Sequence, residues 1–290
     1  MAYQETVVRR DQHRIHVRDH PGAGPPIILM HGFPDNLHLY DRLVPYLSPP
    51  RRVVLFDFLG WGNSDKPSGY AYTTANQVGE LDAVITQLGL EQVLLVAHDA
   101  SGPPAIDWAL AQPERVAGLV LLNTYYCEMP TLRAPEVIWL FSTPVIRNIA
   151  RPVSRMFGNW IFRRMYWWQV GRFIRGAEVR REFVPLLYQQ FDATPSARPA
   201  FFRLNEDLLP MVRAHTQKIP RLLEFRRPVR INFGAADPYL NQGVAQKFHE
   251  FLPESELFLI RGARHFVQLD EPEQVGRLIL AMPRARSEQV

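Results

Sequence analysis

The chain has 290 residues, 47% of them hydrophobic, and a formal net charge of +4 at pH 7. This length and composition suit one large α/β domain that carries an inserted subdomain. Lysine occurs only at positions 66, 218 and 247, and the arginines are scattered without a nucleic-acid-binding signature, so we expect no nucleic-acid partner. The single cysteine, Cys127, excludes an internal disulfide.

Two features argue against secretion and membrane insertion. The segment Met1–Glu5 has neither the basic nor the apolar region of a secretory signal. The longest apolar stretch, near residues 137–149, is interrupted by Pro144 and Arg147 and is too short to span a bilayer. We therefore expect a soluble cytoplasmic protein, either a monomer or a homodimer.

Predicted strands and helices alternate over most of the chain, which indicates a mostly parallel sheet with helices on both faces. The chain begins with Thr6–Arg9 and Arg14–Arg18, which are typical of an antiparallel pair. The further predicted strands are Pro26–Met30, Arg52–Phe58, Gln92–His98, Gly118–Asn123, Val229–Phe233 and Leu257–Arg261. The predicted helices are Leu37–Leu47, Thr74–Leu88, Ser101–Ala111, Asn241–Phe251 and Glu273–Ala281.

The alternation stops after the sixth predicted strand. Residues 128–212 are rich in Trp, Phe, Arg and Met, contain no convincing strand, and are predicted to form several helices separated by prolines. We therefore predict a sheet domain built from residues 1–127 and 213–290, interrupted by a helical cap at 128–212.

The most informative feature is an aspartate at a sharp strand-to-helix turn. The segment Ala97–Ser101 reads AHDAS directly after an apolar run, so Asp99 lies between small residues. Small residues are needed there because the backbone doubles back and lifts the central side chain out of the sheet. A carboxylate can displace a leaving group from a saturated carbon and form an alkyl ester. Asp99 therefore indicates epoxides or alkyl halides, rather than esters or amides, as substrates.

A second segment, Met30–Asn36, follows a predicted strand and reads MHGFPDN. A loop at this place can direct the backbone N–H of Phe33 at the nucleophile, opposite the N–H of Ala100, and the two would form an oxyanion hole. Gly32 permits an unusual backbone angle, and Pro34 stiffens the turn. Taken alone, the segment is equally typical of an ordinary turn.

Two more polar residues follow predicted strands, namely Asp237 and His265. Along the chain, Asp99, Asp237 and His265 have the order nucleophile, acid and base. Each of them follows the carboxyl end of a predicted strand. This ordered set predicts a catalytic triad, although each member alone is a weak signal.

Together these segments resemble the α/β-hydrolase fold family, in the branch with aspartate nucleophiles that includes epoxide hydrolases and haloalkane dehalogenases. The similarity extends from about residue 10 to 282, and it is strong in the sheet domain and diffuse in the cap. The segments that carry it are His31–Pro34, Asp57–Pro67, His98–Asp99, Gly234–Asp237 and His265–Phe266.

The resemblance implies a two-step reaction. Asp99, ionised near neutral pH, would attack a substrate carbon and form an ester. His265, oriented by Asp237, would then activate a water that attacks the ester, while the oxyanion hole stabilises the tetrahedral intermediate. This chemistry requires neither a metal nor an organic cofactor, and it implies a small apolar organic substrate and water as partners.

The leaving group distinguishes the two branches. The dehalogenases that this chain resembles usually have a Trp after the nucleophile and an Asn or Glu after the His-Gly of the oxyanion loop, whereas this chain has Ala100 and Phe33. Neither side chain can donate a hydrogen bond to a halide. We therefore expect an epoxide hydrolase, with a haloalkane dehalogenase of atypical halide site as the alternative.

An opening epoxide needs a proton donor, and related enzymes use tyrosines from the cap. The cap contains Tyr166 and Tyr188, and the pair Tyr125–Tyr126 follows the predicted strand before it. Parts of the cap sequence resemble dehalogenases more than epoxide hydrolases, and Tyr188 is equally consistent with a packing residue. Trp139 is a candidate for the pocket wall, as are Trp160, Trp167 and Trp168, although buried aromatics more often serve in packing.

Two other functions are less consistent with the sequence. A serine hydrolase would need serine at the turn, and Ser101 comes too late. A binding protein on the same scaffold would not need Asp99, Asp237 and His265 together.

Overall fold

The computed structural model describes residues 2–156 and 158–283. In this part of the chain eight strands form one sheet in the order β1-β2-β4-β3-β5-β6-β7-β8. The strands are β1 (Gln4–Arg10), β2 (His13–His20), β3 (Ile27–Met30), β4 (Val53–Phe56), β5 (Val93–Asp99), β6 (Val116–Thr124), β7 (Val229–Gly234) and β8 (Ser255–Ile260). β1 and β2 pair antiparallel with each other, and β2 pairs antiparallel with β4. β3 to β8 run parallel, so their carboxyl ends lie at one edge.

Helices cover the sheet and fill the long connection between β6 and β7. The α-helices are α1 (Val44–Leu47), α2 (Thr74–Gln87), α3 (Gly102–Ala111), α4 (Glu136–Ser142), α5 (Pro144–Met156), α6 (Gly158–Gly171), α7 (Ala177–Asp192), α8 (Arg198–Thr216), α9 (Ile219–Leu223), α10 (Gln242–Phe251), α11 (Val267–Asp270) and α12 (Pro272–Leu280). We call α4–α8 the helical insertion. None of the described helices is both long and apolar enough to cross a membrane.

The predicted sheet and most of its elements are confirmed. The strands β3, β4 and β5 are buried almost throughout, which explains why their sequences are continuous apolar runs rather than alternating ones. The predicted boundary of the cap at residue 212 lies within α8, which continues to Thr216.

The predicted helix Leu37–Leu47 is wrong as a single element. The structure has a 3-10 helix at Leu37–Tyr40 and the short α1 at Val44–Leu47. Pro45 explains the interruption, because its nitrogen cannot donate to the preceding turn and its ring clashes with that turn's carbonyl. Likewise, β4 ends at Phe56, two residues before the predicted end, where Asp57 turns inward to accept a hydrogen bond from the Leu37 N–H at 2.9 Å.

A buried glutamine attaches the helical insertion to the sheet domain. The Nε2 of Gln190, in α7, donates to the carbonyl oxygens of Pro34 and Asp35, each at 3.1 Å, and its Oε1 accepts from the N–H of Gly62 at 2.8 Å. Asn36 adds a bond from its Nδ2 to the Leu186 carbonyl at 3.1 Å. Because buried polar groups are costly when unpaired, these bonds fix α7 over the loop that follows β3.

The central strands dominate the core, and a truncation there tests it. Leu121 in β6 is fully buried, and we expect Leu121→Ala to lower the free energy of unfolding by about 2–5 kcal/mol, because it removes buried methyl groups and leaves a cavity. Leu223→Ala is the matched control, since Leu223 is 44% exposed, and it should change stability by less than about 0.5 kcal/mol. Urea unfolding of both variants makes the comparison, and equal losses would contradict this description of the core.

Candidate active site

The turn after β5 presents Asp99 at the carboxyl edge of the sheet. Asp99 has φ 50°, in the left-handed region that is unusual for a residue with a side chain. Ser101 holds the turn, because its buried Oγ donates to the Met30 carbonyl and accepts from the His98 N–H, at 2.8 and 2.9 Å. The hydroxyl of Ser101 is thus engaged with backbone. From the end of the neighbouring strand β6, Thr124 Oγ1 donates to the Asp99 carbonyl.

Gly32 is required by close packing. A Cβ at this position would lie 2.7 Å from the Cβ of Asp99 and 2.9 Å from Nδ1 of His98. The structure does not place Gly32 among the residues with positive φ, so the expectation of an unusual backbone angle there is wrong. Only a glycine lets the loop after β3 approach Asp99 this closely.

Two backbone N–H groups converge on the carboxylate of Asp99. The N–H of Phe33 donates to Oδ2 at 2.9 Å, and the N–H of Ala100 lies close enough to oppose the rise in the pKa of this carboxyl that burial causes. These are the two donors that the sequence predicts for an oxyanion hole. Any negative charge that develops on Oδ2 would be stabilised where it forms.

His265 and Asp237 form a buried pair beside Asp99. The distance from Nδ1 of His265 to Oδ2 of Asp237 is 2.8 Å. Asp237 also accepts hydrogen bonds from the N–H groups of Tyr239 and Leu240, at 2.9 and 3.2 Å, and from Nδ2 of Asn123 at 3.0 Å. The bond to Asp237 holds the Nδ1 proton, which leaves Nε2 of His265 to act on substrate or water.

Burial and charge set the protonation of this pair. Burial alone would raise the pKa of Asp237, but the charge of His265 and the donated hydrogen bonds outweigh it, so the pKa is lowered and Asp237 stays ionised. Burial likewise would lower the pKa of His265, but the negative charges of Asp237 and Asp99 raise it above its ordinary value. Burial raises the pKa of Asp99, against the opposing effects of His265 and the two N–H donors.

Asp99 and His265 open onto a cavity of about 310 Å³ beneath the helical insertion. The wall is mostly apolar and comes from α4, α6 and α8, together with loops of the sheet domain. The lining residues include Phe33, Pro34, Tyr125, Leu132, Val137, Ile138, Phe162, Met165, Tyr166, Gln169, Val170, Phe173, Phe201, Leu204, Asn205, Leu208, Val212, Tyr239 and Leu240. Within the described parts of the chain, no group of three or more His, Cys, Asp or Glu side chains could hold a metal ion.

Comparison with known proteins identifies the family. The sequence model of the alpha/beta hydrolase fold matches residues 25–272. The chain belongs to the α/β-hydrolase family. It is 26% identical over 273 residues to haloalkane dehalogenase 2 of Mycobacterium tuberculosis, covering 92% of this chain and 90% of that protein. It is also 25% identical over 276 residues to epoxide hydrolase 2 of Caenorhabditis elegans, covering 91% and 75% of the two chains.

A solved structure has the same fold. The haloalkane dehalogenase DbeA from Bradyrhizobium elkani superposes with a TM-score of 0.77 over 96% of each chain, at 20% sequence identity. At this identity the likeness concerns the fold alone. The protein is therefore a hydrolase of the α/β-hydrolase fold with relatives named as dehalogenases and epoxide hydrolases.

The structure brings only some of the predicted aromatic residues of this hydrolase to the cavity. Tyr125 and Tyr166 line it, and the Tyr166 hydroxyl donates to the Pro34 carbonyl at 3.2 Å. Among the described residues, the Tyr125 hydroxyl has no hydrogen-bond partner. Both phenols have a pKa well above the ordinary value, mainly because of burial, so both keep their proton.

Three predicted pocket residues lie elsewhere and are corrected. Tyr126 points away, because its hydroxyl donates to Asp107 at 2.7 Å and its ring stacks on a histidine of α8. Tyr188 is buried against Tyr166 and Phe191 and does not line the cavity. Trp139 is 53% exposed on the outer side of α4. Aromatic residues in helices can pack in the core, lie exposed on the surface or line a pocket, and the sequence pattern alone does not distinguish these roles.

Two buried groups near Asp99, namely Asp35 and His98, have no role in the predictions made from the sequence. Asp35 is fully buried, and neither of its carboxyl oxygens has a hydrogen-bond partner in the described residues. Its Oδ2 lies 4.0 Å from Nδ1 of His98, which is also unpartnered. Burial, and next the negative charge of Asp99, raise the pKa of Asp35 to about 8. The only sequence signal for this pair is that each residue adjoins a site residue.

Asp35 predicts a pH-dependent stability. In the unfolded chain an aspartate has a pKa of about 3.9, so between that pH and about 8 the folded protein keeps a proton that the unfolded chain releases. Stability therefore falls as pH rises through this window. Asparagine does not release a proton in this pH range, so the variant does not lose stability as the pH rises. We therefore expect Asp35→Asn to raise the melting temperature by several degrees at about pH 9 but little at about pH 5.

Thermal unfolding followed by circular dichroism at both pH values measures this difference. Asp192→Asn is the matched control, since Asp192 is exposed, and it should show no such dependence. An Asp35→Asn effect that is the same at both pH values would contradict a protonated Asp35.

Proposed function

We propose that this hydrolase opens epoxides of small apolar molecules to diols through a covalent ester on Asp99. The observation that carries the proposal is an aspartate at the strand-to-helix turn. Its Oδ2 accepts from the Phe33 N–H, and the carboxylate faces an apolar cavity with phenol groups in the wall. A carboxylate displaces leaving groups at saturated carbon, whereas acyl transfer uses serine or cysteine at this position.

In the first step, Oδ1 of Asp99 attacks an epoxide carbon. A new C–O bond forms to the enzyme while the ring C–O bond breaks, and the electron pair of that bond goes to the ring oxygen. The developing alkoxide takes a proton from a phenol in the cavity wall. Three tyrosines line the cavity, but the hydroxyls of Tyr166 and Tyr239 donate to the Pro34 carbonyl and to Glu136, at 3.2 and 2.6 Å. Tyr125 is the best supported donor, because its hydroxyl has no partner in the described structure, and burial and the charge of Asp99 raise its pKa.

In the second step, Nε2 of His265 accepts a proton from water as the water oxygen attacks the carboxyl carbon of Asp99. Negative charge moves onto Oδ2, where the N–H groups of Phe33 and Ala100 stabilise it. Collapse of this intermediate breaks the bond between the carboxyl carbon and Oδ1, and Oδ1 leaves with the substrate carbon as an alkoxide that takes the proton from His265, which gives the diol. The second proton of the water passes from the new carboxyl group to the phenolate that the first step left, so Asp99 is again a carboxylate and the phenol is restored.

Formation of the ester prepares His265 for its role as a base. The charge of Asp99 is one of the effects that raise the pKa of His265, and esterification removes that charge. The imidazole is therefore a weaker base, and more often neutral, in the ester than in the free enzyme. As the pH falls through the pKa of His265 in the ester, protonation stops the second step.

The names of the relatives favour a second candidate, a haloalkane dehalogenase. It would use the same ester, with a halide in place of the ring oxygen. A halide needs convergent side-chain donors, and Phe33 and Ala100 supply none. The Nδ2 of Asn205 in the cavity wall already donates to the Phe201 carbonyl at 2.8 Å. Arg133 and Gln169 also line the cavity, and Nε2 of Gln169 donates to the Tyr239 hydroxyl at 3.5 Å. We favour epoxide opening because the two residues whose N–H groups adjoin the Asp99 carboxylate, Phe33 and Ala100, have no side-chain donor for a halide.

A trapped intermediate tests the mechanism. We expect His265→Gln to accumulate the ester, because alkylation by Asp99 remains while water activation is lost. Mass spectrometry should show the substrate mass on the peptide that contains Asp99. His249→Gln is the matched control, since His249 is exposed on α10 and does not line the cavity, and it should turn over without an adduct. Absence of an adduct in His265→Gln with a reactive epoxide would contradict the covalent route.

A product assay with the wild-type protein distinguishes the two candidate functions. Panels of apolar epoxides and haloalkanes are incubated with the wild-type protein, and diol and halide are measured. We expect diol formation from at least one epoxide. Halide release without diol formation from any epoxide would overturn the proposal in favour of a dehalogenase.

The proton donor is tested by removing single hydroxyl groups. We expect Tyr125→Phe to slow ester formation from an epoxide by about 100-fold or more, because the alkoxide then lacks its general acid. Tyr188→Phe is the matched control, since this tyrosine lies outside the cavity, and it should leave the rate unchanged. Single-turnover kinetics measure the step directly. A large loss in Tyr166→Phe with none in Tyr125→Phe would reassign the donor to Tyr166.

A further inference from the structure

The outer side of the helical insertion carries an unusual group of exposed apolar side chains. Nine large hydrophobic residues of the described chain are exposed, and five of them lie within α4, α5 and α6. They are Trp139 at 53%, Val145 at 75%, Ile149 at 68%, Trp160 at 64% and Trp168 at 51% exposure, and we call them the tryptophan face. Single exposed apolar residues need no explanation, but a cluster of this kind marks an interaction surface.

Helix geometry explains why these side chains point outward. Successive residues of an α-helix are rotated by about 100°, so Trp160, Arg164 and Trp168 share one side of α6. Phe162, Met165, Tyr166 and Val170 occupy the opposite side and line the cavity.

The same division holds in the neighbouring helices. In α4, Val137 and Ile138 face the cavity while Trp139 is exposed. In α5, Val145 and Ile149 are one turn apart and exposed together. The helices α4, α5 and α6 contact one another, so their outer sides adjoin.

The charge of this region is strongly positive. Residues 137–177 contain seven arginines and neither aspartate, glutamate nor lysine, so the formal charge of this segment is +7. Two of the seven, Arg172 and Arg175, pair with Glu136 and Glu271 outside it, at 3.5 and 2.6 Å. By difference from the net charge of +4, the rest of the chain carries −3. The arginines also lie among the tryptophans, since the guanidinium of Arg164 is 5.4 Å from the Trp160 ring and that of Arg172 is 4.7 Å from the Trp168 ring.

We propose that the tryptophan face binds the surface of an anionic phospholipid bilayer. Tryptophan prefers the boundary between headgroups and acyl chains, where its ring is buried and its N–H remains hydrated. Arginine is attracted to anionic headgroups. Helices with arginines beside exposed tryptophan and aliphatic residues lie in the plane of such an interface. This mode needs no membrane-spanning helix.

The charge argues against a second copy of the chain as the occupant. A twofold dimer would place the same patch of both copies face to face, and two segments of +7 would repel each other. Negatively charged lipid, by contrast, neutralises the arginines and receives the apolar side chains at the same time. Lipid binding at this face is independent of the reaction that the site performs.

Vesicle flotation of the full chain tests the proposal. The probes are vesicles of phosphatidylcholine alone and vesicles with equal parts of phosphatidylcholine and phosphatidylglycerol. We expect binding to the anionic vesicles in low salt, a blue shift of tryptophan fluorescence, and release at about 1 M salt, where the Debye length falls to about 3 Å. Equal binding to both kinds of vesicle, or binding to neither, would overturn the proposal.

Two variants locate the interaction. Arg164→Glu and Trp168→Ser should each weaken binding to anionic vesicles by about tenfold. A basic residue near such a surface contributes about 1 kcal/mol, and reversal of its charge also adds repulsion. Replacement of Trp168 by serine removes apolar area that would be buried in the interface. Arg226→Glu and Leu223→Ser are the matched controls, since both residues are exposed in another part of the chain, and they should bind as the wild type does. Circular dichroism shows whether each variant is folded.

Three further outcomes would also reject lipid as the occupant. Equal loss of binding in variants and controls would place the surface elsewhere. A dimer seen by analytical ultracentrifugation and abolished by Trp168→Ser, without vesicle binding, would assign the face to a second copy. Binding to poly-aspartate without binding to anionic vesicles would assign it to an acidic protein.

Discussion

The site depends on one backbone constraint, the left-handed conformation of Asp99 at the end of β5. For a residue with a side chain this conformation costs about 1–3 kcal/mol, so the surrounding structure must hold it. Ser101 and Thr124 supply hydrogen bonds to the turn, and Gly32 lets the loop after β3 come within contact of Asp99. Together they direct the carboxylate into the cavity and bring the Phe33 N–H to its Oδ2.

Around this turn, three buried carboxyl groups differ in protonation because they differ in hydrogen-bond donors. Asp237 receives four donors, one of them the imidazole of His265, so its pKa is lowered. Asp35 receives none from the described residues, and its pKa is raised to about 8. Burial raises the pKa of Asp99, against the opposing effects of His265 and of the Phe33 and Ala100 N–H groups. Different surroundings thus push the pKa values of neighbouring carboxyl groups apart.

The helical insertion has two apolar sides with different consequences. Its inner side, with Phe162 and Val170, forms the wall of a cavity that suits small apolar molecules. Its outer side carries Trp160 and Trp168 beside arginines and remains in contact with solvent. A segment that is apolar on both sides looks like core in the sequence, yet only its inner side is buried. Trp139 is on the outer side, which explains why this candidate for the pocket wall does not line the cavity.

The sequence alone determined the order of strands and helices along the chain and the identity of the triad candidates. Those inferences depend on local signals: apolar runs for β3 to β8, small residues around Asp99, and the order of Asp99, Asp237 and His265 at strand ends. The sheet then brings strand ends together as a consequence of parallel pairing. The helix broken at Pro45 is a local signal that the prediction overlooked.

Tertiary structure alone decided which aromatic residues face the cavity, which buried carboxyl stays protonated, and which residues orient Asp237. Asn123 donates to Asp237, and the pKa of Asp35 is raised by burial and by the charge of Asp99. In both cases the interacting residue is more than 60 residues away along the chain, and no local pattern specifies it. Tyr125 and Tyr126 are adjacent in sequence, yet one phenol enters the cavity and the other donates to Asp107. The reason is physical: neighbouring side chains point in different directions, and only the packed fold determines what each one meets.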